Sequence, residues 1–389
     1  MSRTFVTIFP ICENVHLTKD LGQIPYFLHK TFSYNARIVS YKNSQQYSNL
    51  DGEVKGLKME FIPNRGRVSF LEKSVLSYIY KNAKHIDVLN LYIFSKFTFV
   101  YGILYKKLNP KGFLFLKLDG YNETFAEQSE LRHSVHRMKN RFLKSLEKKF
   151  LKQVDLITIE NSEGESLVKR KFPQVAHKVS YLPVGVNDVY LREAFPQRKL
   201  YNEKENIILT VGRVGEEIKN HDMMLRALAR LDLKDWKLVF VGPVNPSFEQ
   251  KYKAWIREYP HLESRILFTG EICDRKTLYA WYDRSKIFCM TSLKESFCHS
   301  IGEALYFGNY IIGTEGIVSM PDITNRGKYG TTLKTNDDAA LAEALQNRID
   351  NESSLAKLCP EIMHYSDTQF TWSGIIGRIH ERIERRPTV

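Results

Sequence analysis

Ser285-Lys-Ile-Phe-Cys-Met-Thr291, followed after three residues by Glu295-Ser-Phe-Cys-His-Ser-Ile-Gly-Glu303, reads as a buried strand, a short polar turn and the start of a helix. The helical pattern runs from Ser300 to Phe307. Glu295 therefore stands at the exit of a strand, and Glu303 stands about one turn into the next helix. The turn between them aims backbone N–H groups at a helix N-terminus, where an anion is favoured. A phosphate suits the amides and sugar hydroxyls suit the two carboxylates. Two Glu at a fixed spacing also arise by chance, one capping a helix and the other solvated, so the pair alone decides little.

Outward from this stretch, strand and helix patterns alternate along the whole chain. In the first half, strands are expected near 4–9, 36–42, 57–63, 86–93, 112–118, 155–159 and 178–182. Helices are expected over 17–32, 68–83, 95–107, 138–152 and 161–172. In the second half, strands fall near 207–211, 236–241, 265–269, 287–291 and 310–314. The helices there fall near 220–231, 247–258, 274–284, 300–307 and 337–349. Such alternation predicts an α/β protein with mostly parallel sheets. The alternation pauses over the polar, charged stretch 191–205, which contains Pro196 and reads as a linker. Two doubly wound domains are expected, 1–190 and 206–370, and ligands in such sheets bind beyond the carboxyl ends of the strands. The amphipathic segment 371–389 is expected to return to the first domain.

With 389 residues the chain has room for two or three domains. A net charge of +13 implies attraction to something anionic: nucleic acid, an anionic bilayer or a phosphorylated substrate. The five Cys are scattered without CxxC or Cys/His metal spacing, which fits a reducing, cytosolic setting. The stretch from Leu89 to Leu108 comes nearest to a membrane span, but Lys96, Lys106 and Lys107 interrupt it. Neither a signal peptide nor a spanning helix is expected, which leaves the cytosol or the inner face of the membrane.

Three further loops of the second half end strands. Ile207-Ile-Leu-Thr-Val-Gly-Arg213 is followed by Lys219-Asn-His221, so Arg213 and Lys219 share one strand-to-helix loop. Arg offers phosphate a planar fork and Lys a point charge, and Gly212 permits close backbone approach. Solvated surface charges are the plainer alternative. Val239-Phe-Val-Gly-Pro243 and Ile266-Leu-Phe-Thr-Gly-Glu-Ile272 also place Gly at strand ends, where a flat base can lie on backbone. A plain turn needs Gly equally.

The order Gly-Arg, Lys-Asn-His, Phe-Thr-Gly and Glu-x7-Glu resembles the retaining glycosyltransferases of family 4, of the bacterial cell-surface polysaccharide type, over about residues 150–375. The resemblance implies a GT-B fold, with two Rossmann-like domains facing across a cleft. It implies that Arg213 and Lys219 hold the diphosphate of a nucleotide sugar, a UDP-sugar first of all, with Gly212, Asn220 and Gly242 beside them. Glu303 would take ribose hydroxyls, Glu295 the donor sugar at its reacting face, and Ile272 would lie by the base. Phe297, Cys298, His299, Ser300 and Ile301 would supply amides to sugar and phosphate. The pattern departs from the family at Ser296, where Gly is usual, and at Cys298, where Pro or Gly is common, which leaves the donor sugar open. Cys298 itself reads as a small loop residue rather than a redox or zinc group. No Asp-x-Asp precedes a strand end, so the two cations are expected to replace a metal.

In the first half, Cys12-Glu-Asn-Val-His16 follows the first strand where relatives carry a Gly-rich loop. Glu13, Asn14 and His16 suit acceptor hydroxyls, or cap the next helix. Pro25 implies that this helix starts late or kinks. Phe113-Leu-Phe-Leu-Lys-Leu-Asp-Gly120 ends a strand where relatives carry a His, and Lys117 or Asp119 is expected to supply the polar contact there. Asp119 is the candidate nearest the reacting acceptor oxygen, and a turn-capping Asp is its ordinary alternative. The segment 132–152 holds eight Lys or Arg and one Glu, with Val135, Met138, Phe142, Leu146 and Phe150 at helical spacing. Its apolar stripe belongs in a core, and its cationic face suits anionic lipid headgroups near a lipid-linked glycan acceptor. No nucleic-acid motif accompanies the charge. The leading expectation is a retaining, metal-independent transferase, set against a non-catalytic scaffold of the same fold and a same-fold sugar-nucleotide epimerase.

Overall fold

The computed structural model describes residues 2–69, 71–118 and 137–385, with the side chains of 137–140 left aside. The chain divides into two compact units, Met1–Asn187 with Trp372–Val389, and Asp188–Thr371.

The first unit is built on a sheet of strands β1 (Thr4–Ile8), β2 (Asn35–Ser40), β3 (Lys58–Phe61), β6 (Val88–Tyr92), β7 (Phe113–Leu118), β8 (Leu156–Ile159) and β9 (Val179–Tyr181). Its order is β3-β2-β1-β6-β7-β8-β9, with every pairing parallel. Strands β6 and β7 are buried along their whole length, as central parallel strands covered on both faces must be. Helices α1 (Asp20–Phe32), α2 (Lys73–Asn82), α3 (Lys96–Leu108), α4 (Arg137–Gln153) and α5 (Ser162–Lys171) connect them. A small antiparallel pair, β4 (Arg67–Val68) and β5 (Leu71–Glu72), precedes α2, so the helix expected over 68–83 starts later, at Lys73. Helix α1 begins at Asp20 after a 3-10 turn over Asn14–Thr18 and runs on through Pro25.

One core of this unit gathers Val6, Ile8, Leu114, Leu116, Ile157, Phe99 and Tyr105. Phe150 and Leu151 of α4 lie in it and Leu146 packs against it, whereas Phe142 is 59% exposed. Val135 lies outside the described residues. Arg141, Lys144, Lys148, Lys149 and Lys152 are exposed on the same helix.

The second unit carries β10 (Glu205–Val211), β11 (Lys237–Val241), β12 (Ile266–Phe268), β13 (Ser285–Met290), β14 (Tyr310–Thr314) and β15 (Gly330–Leu333), all parallel in the order β12-β11-β10-β13-β14-β15. Its helices are α6 (Asp188–Ala194), α7 (His221–Leu228), α8 (Pro246–Glu258), α9 (Arg275–Arg284), α10 (His299–Tyr306), α11 (Met320–Ile323), α12 (Asp338–Asp350) and α13 (Glu352–Gln369). The stretch 191–205 is not bare linker: it holds most of α6 and a 3-10 turn over Tyr201–Glu203, and Arg198 is tied to Asp367 at 2.8 Å. Ile208, Leu209, Phe288, Cys289, Ile311 and Ile312 are buried along the central strands.

The last helix, α14 (Trp372–Glu384), belongs to the first unit and packs on α1. The backbone N–H of Trp372 donates to the Val186 carbonyl at 3.0 Å, and the buried indole lies beside Phe27. At its far end, Glu384 pairs with Arg3 at 2.7 Å.

The parallel order of each sheet reverses at one place, between β1 and β6 in the first unit and between β10 and β13 in the second. Crevices at the carboxyl ends of such strand pairs are where doubly wound folds hold ligands.

Candidate functional site

The loop after β10 runs through Gly212 and Arg213 to a 3-10 turn, Glu217–Lys219, and then to Asn220, whose left-handed φ of 51° turns the chain into α7. Asn tolerates that conformation better than most residues, and its side-chain amide donates to Asn336 Oδ1, distant in sequence, at 3.0 Å. The loop after β13 holds this turn in place. The Thr291 hydroxyl lies 3.0 Å from the Lys219 carbonyl and 2.9 Å from that of Asn220, and the Leu293 N–H donates to Ile218.

Lys219 and Glu295 meet as an ion pair across these two loops, with side chains 13% and 21% exposed. The backbone of Glu295 is pinned from the other side by the segment after β14. Its N–H donates to the Gly316 carbonyl at 2.8 Å, and its own carbonyl accepts from Val318 at 3.0 Å. Gly316 has to be Gly, since a Cβ there would lie 2.3 Å from the Leu293 carbonyl oxygen. Sequence reasoning passed over this strap because nothing in Glu315-Gly-Ile-Val318 marks it.

Helix α10 opens at the same place, with Cys298 at its N-cap. The Cys298 sulfur sits 3.1 Å from the Ser300 hydroxyl, and burial, helped by Glu295, pushes its thiol up to about 11. It is therefore a neutral, packed thiol. Phe297 and Ile301 are buried, and His299 and Ser300 are half-buried at the helix start. The α10 N-terminus, whose first turn holds no acidic side chain, thus lies beside Glu295.

Glu303 is 13% exposed and engaged through both oxygens. Arg275, at the start of α9, donates to one oxygen at 2.7 Å, and the buried Tyr282 hydroxyl donates to the other at 2.7 Å. The Tyr279 hydroxyl lies 3.4 Å from the first oxygen, and the Arg275 guanidinium lies 4.5 Å from the centre of the Tyr279 ring. None of these partners was read from the sequence. The available signal was the α9 period, which puts Arg275, Tyr279 and Tyr282 on one face.

Gly212, Gly242 and Gly270 follow β10, β11 and β12 and are linked by backbone bonds: Gly212 N–H to Val241 and Gly242 N–H to Gly270, both 2.9 Å. Gly242 has φ 135°, and a Cβ on it would lie 1.8 Å from the Gly212 carbonyl oxygen. Ile272 is half-buried in the loop after β12. Arg213 is the outlier of the set, 68% exposed and paired with Glu216 at 3.0 Å. His221 is buried at the start of α7. Its Nδ1 accepts from the Gly215 N–H at 3.0 Å, and burial holds the imidazole down at about 4, hence neutral.

The first-unit candidates are placed differently. Asn14 is bound into its own loop, donating to Ser48 at 3.1 Å and accepting from the Asn49 N–H at 3.0 Å. His16 Nδ1 accepts from the Glu13 N–H at 2.9 Å, and burial followed by Lys19 lowers its pKa. The carboxylate-bearing Glu13 is exposed. Lys117 has no exposed side-chain surface and pairs with Asp20 at 3.1 Å and Glu160 at 3.6 Å. Asp119 lies outside the described residues. A residue the sequence did not flag, Ile93, follows β6 at the reversal point with φ 67° and 49% exposure. A β-branched residue there is a backbone outlier, and the Thr98 hydroxyl at 2.7 Å from its carbonyl helps to hold it.

Residues 192–361, which include every second-unit site residue above, match the protein family described as Glycosyl transferases group 1. The match lies wholly within the second unit. The chain is 29% identical over 39% of its length to GalNAc-alpha-(1->4)-GalNAc-alpha-(1->3)-diNAcBac-PP-undecaprenol alpha-1,4-N-acetyl-D-galactosaminyltransferase of Campylobacter jejuni subsp. jejuni serotype O:2. It is 27% identical over 31% of its length to Protein CapJ of Staphylococcus aureus. The matched segments span 40% and 30% of those relatives' own lengths. Among solved structures, a glycosyltransferase from Rickettsia africae ESF-5 is similar with a TM-score of 0.73 at 16% identity, covering 98% of each chain. Anabaena HepE in complex with UDP is similar with a TM-score of 0.70 at 14% identity, covering 99% of this chain and 100% of that one. The fold is thus GT-B, with the matched residues 192–361 inside its second Rossmann-like unit. Among the described residues, no helix is long and apolar enough to cross a membrane.

Proposed function

We propose that the chain is a retaining glycosyltransferase of family 4 that takes a sugar from a nucleoside-diphosphate donor, a UDP-sugar first of all, and transfers it to a glycan acceptor in bacterial surface-polysaccharide synthesis. The observation that carries this reading is the Lys219–Glu295 pair, set beside the α10 N-terminus with Glu303 one turn further on. The leaving diphosphate gains negative charge as the glycosidic bond breaks. Lys219, Arg213 and the α10 amides supply positive charge and donors to it without a metal. Glu295 takes the donor sugar and Glu303 the ribose diol, each carboxylate accepting from hydroxyls. The sugar leaves with its anomeric configuration kept.

The name of the Campylobacter relative describes transfer onto an undecaprenol-linked glycan, which supports a lipid-linked acceptor here. The exposed cations of α4, with Phe142 59% exposed among them, suit peripheral attachment to an anionic inner leaflet. Binding to vesicles containing anionic lipid, absent from neutral vesicles and lost at high salt, is the expected behaviour.

The test is a screen of nucleotide sugars against the whole chain, with lipid extract as acceptor and the anomeric configuration of the product read by NMR. Transfer with retention from a UDP-sugar in the presence of a chelator is expected. Nucleotide-sugar binding without turnover under every acceptor condition sinks the enzyme reading.

A further inference from the structure

The Glu303 carboxylate is occupied by the protein itself. Its Oε1 accepts from Arg275 Nη2 at 2.7 Å and its Oε2 from the buried Tyr282 hydroxyl at 2.7 Å. The two donors differ in kind. Tyr282 is buried within the packed face of α9 and has a hydroxyl held high by burial, so it is a fixed support. Arg275 stands on the first residue of the helix, 29% exposed, behind the Asp274 cap that accepts from the Thr277 N–H at 2.7 Å. Its planar cation also donates to the Tyr279 hydroxyl and lies 4.5 Å from that ring's centre, so on leaving Glu303 it can stay on Tyr279 of the same helix without disturbing the helix.

We infer that Arg275 is a specificity-determining latch on the nucleotide site: it competes with the ribose diol for Glu303, so that a nucleotide binds fully only by exchanging the guanidinium for two hydroxyls. This inference rests on the reading of Glu303 as the ribose-binding carboxylate. A ribose diol donates to both carboxylate oxygens; Oε2 keeps a lone pair beside the Tyr282 hydroxyl, whereas Oε1 is covered by the guanidinium, with the Tyr279 hydroxyl 3.4 Å away. The exchange costs the guanidinium–carboxylate attraction, and this cost falls only on ligands that engage Glu303. A nucleoside diphosphate without the diol leaves the latch closed and binds through its phosphates alone. Arg275 therefore sets how strongly the site favours a ribonucleotide over its dideoxy analogue, by a penalty specific to the diol. Ile272 lies three residues before Arg275, in the loop that leads into α9, so base and latch share one short segment.

Calorimetric binding of UDP and of 2′,3′-dideoxyuridine diphosphate to the whole chain tests this, with wild type, Arg275→Gln and Glu303→Gln compared. Arg275→Gln is expected to tighten UDP by about fivefold, the value of a partly exposed ion pair, and to leave the dideoxy analogue unchanged. Glu303→Gln is expected to weaken UDP and to remove the difference between the two ligands. If Arg275→Gln weakens UDP or leaves it unchanged while Glu303→Gln still weakens it, the latch is overturned and the ribose reading stands. If Glu303→Gln has no effect on UDP, or if no nucleoside diphosphate binds any of the three forms, the ribose reading and the latch both fall. Unliganded melting temperatures confirm that each variant is folded.

Discussion

Lys219 and Glu295 close an ion pair between the loop after β10 and the loop after β13, the two strands at which the second sheet reverses its order. Seventy-six positions separate them in sequence, and the pairing exists because those strands are neighbours. Both loops are further clamped by the Thr291 hydroxyl on the Lys219 and Asn220 carbonyls.

If Glu295 serves the sugar rather than the diphosphate, as proposed, Glu295→Gln lowers kcat by about a hundredfold while changing the UDP Kd by no more than about threefold. Lys219→Ala is expected to weaken UDP by about tenfold and to lower kcat as well. The double variant should lose less than the sum, because each single change leaves the other charge without its partner in a partly buried place. Steady-state kinetics together with UDP titrations check all three.

Gly242→Ala is expected to destabilise the second unit by about 3 kcal/mol or more, as it combines an unfavourable backbone with overlap. The residue has φ 135°, and the added Cβ would lie 1.8 Å from a backbone oxygen that cannot swing away. Gly270→Ala is the control: its φ is 72°, but nothing lies within 4 Å of the added carbon. The control should cost only about 1 kcal/mol, the backbone share alone. Scanning calorimetry separates the two.

Acid should weaken the second unit through His221. The folded imidazole is held at about 4 against an ordinary 6.5, so folding excludes the proton. Its contribution is fully present above pH 6.5 and is lost as pH falls towards 4. Between pH 6.5 and 5 the loss is about 2 kcal/mol. In urea titrations at pH 7 and pH 5, His221→Asn, which can still accept from the Gly215 N–H, should show that much less pH dependence. An unchanged slope would show that another group carries it.

Lys117→Met should destabilise the first unit by about 3–5 kcal/mol, because it leaves the buried Glu160 carboxylate and the largely buried Asp20 carboxylate without their shared cation. The amine has no exposed surface and lies 3.1 Å and 3.6 Å from the two acids. Replacing Lys117 together with both acids by apolar residues of similar volume should recover much of that loss. Urea unfolding of the single and triple variants measures the difference.

Much of the fold was legible because central parallel strands are covered on both faces and so read as short apolar runs. Ile207–Val211, Val239–Val241 and Ile287–Met290 announce β10, β11 and β13 in this way. β15, Gly-Thr-Thr-Leu, has no such run and was not read; nor was α13, whose pattern contains Pro360. The hairpin before α2 was absorbed into a helical pattern, since two-residue strands carry no period. In the site, residue type singled out Arg213, Lys219 and Glu295 in loops after strands and Glu303 one turn into the next helix, and the structure leaves Arg213 68% exposed beside Glu216. Arg275 and Tyr282 were not, because they lie 28 and 21 positions before Glu303 on an otherwise ordinary helix.

The order of strands and helices, and so the two parallel α/β sheets, was written in local patterns of apolar and polar residues, which need only neighbours along the chain to act. Tertiary structure alone decided which charges meet: Lys219 with Glu295, Arg275 with Glu303, and Lys117 with Asp20 and Glu160. Those meetings follow from which strands lie side by side. Hydrogen bonding and burial over the whole sheet select that order, and no single segment encodes it.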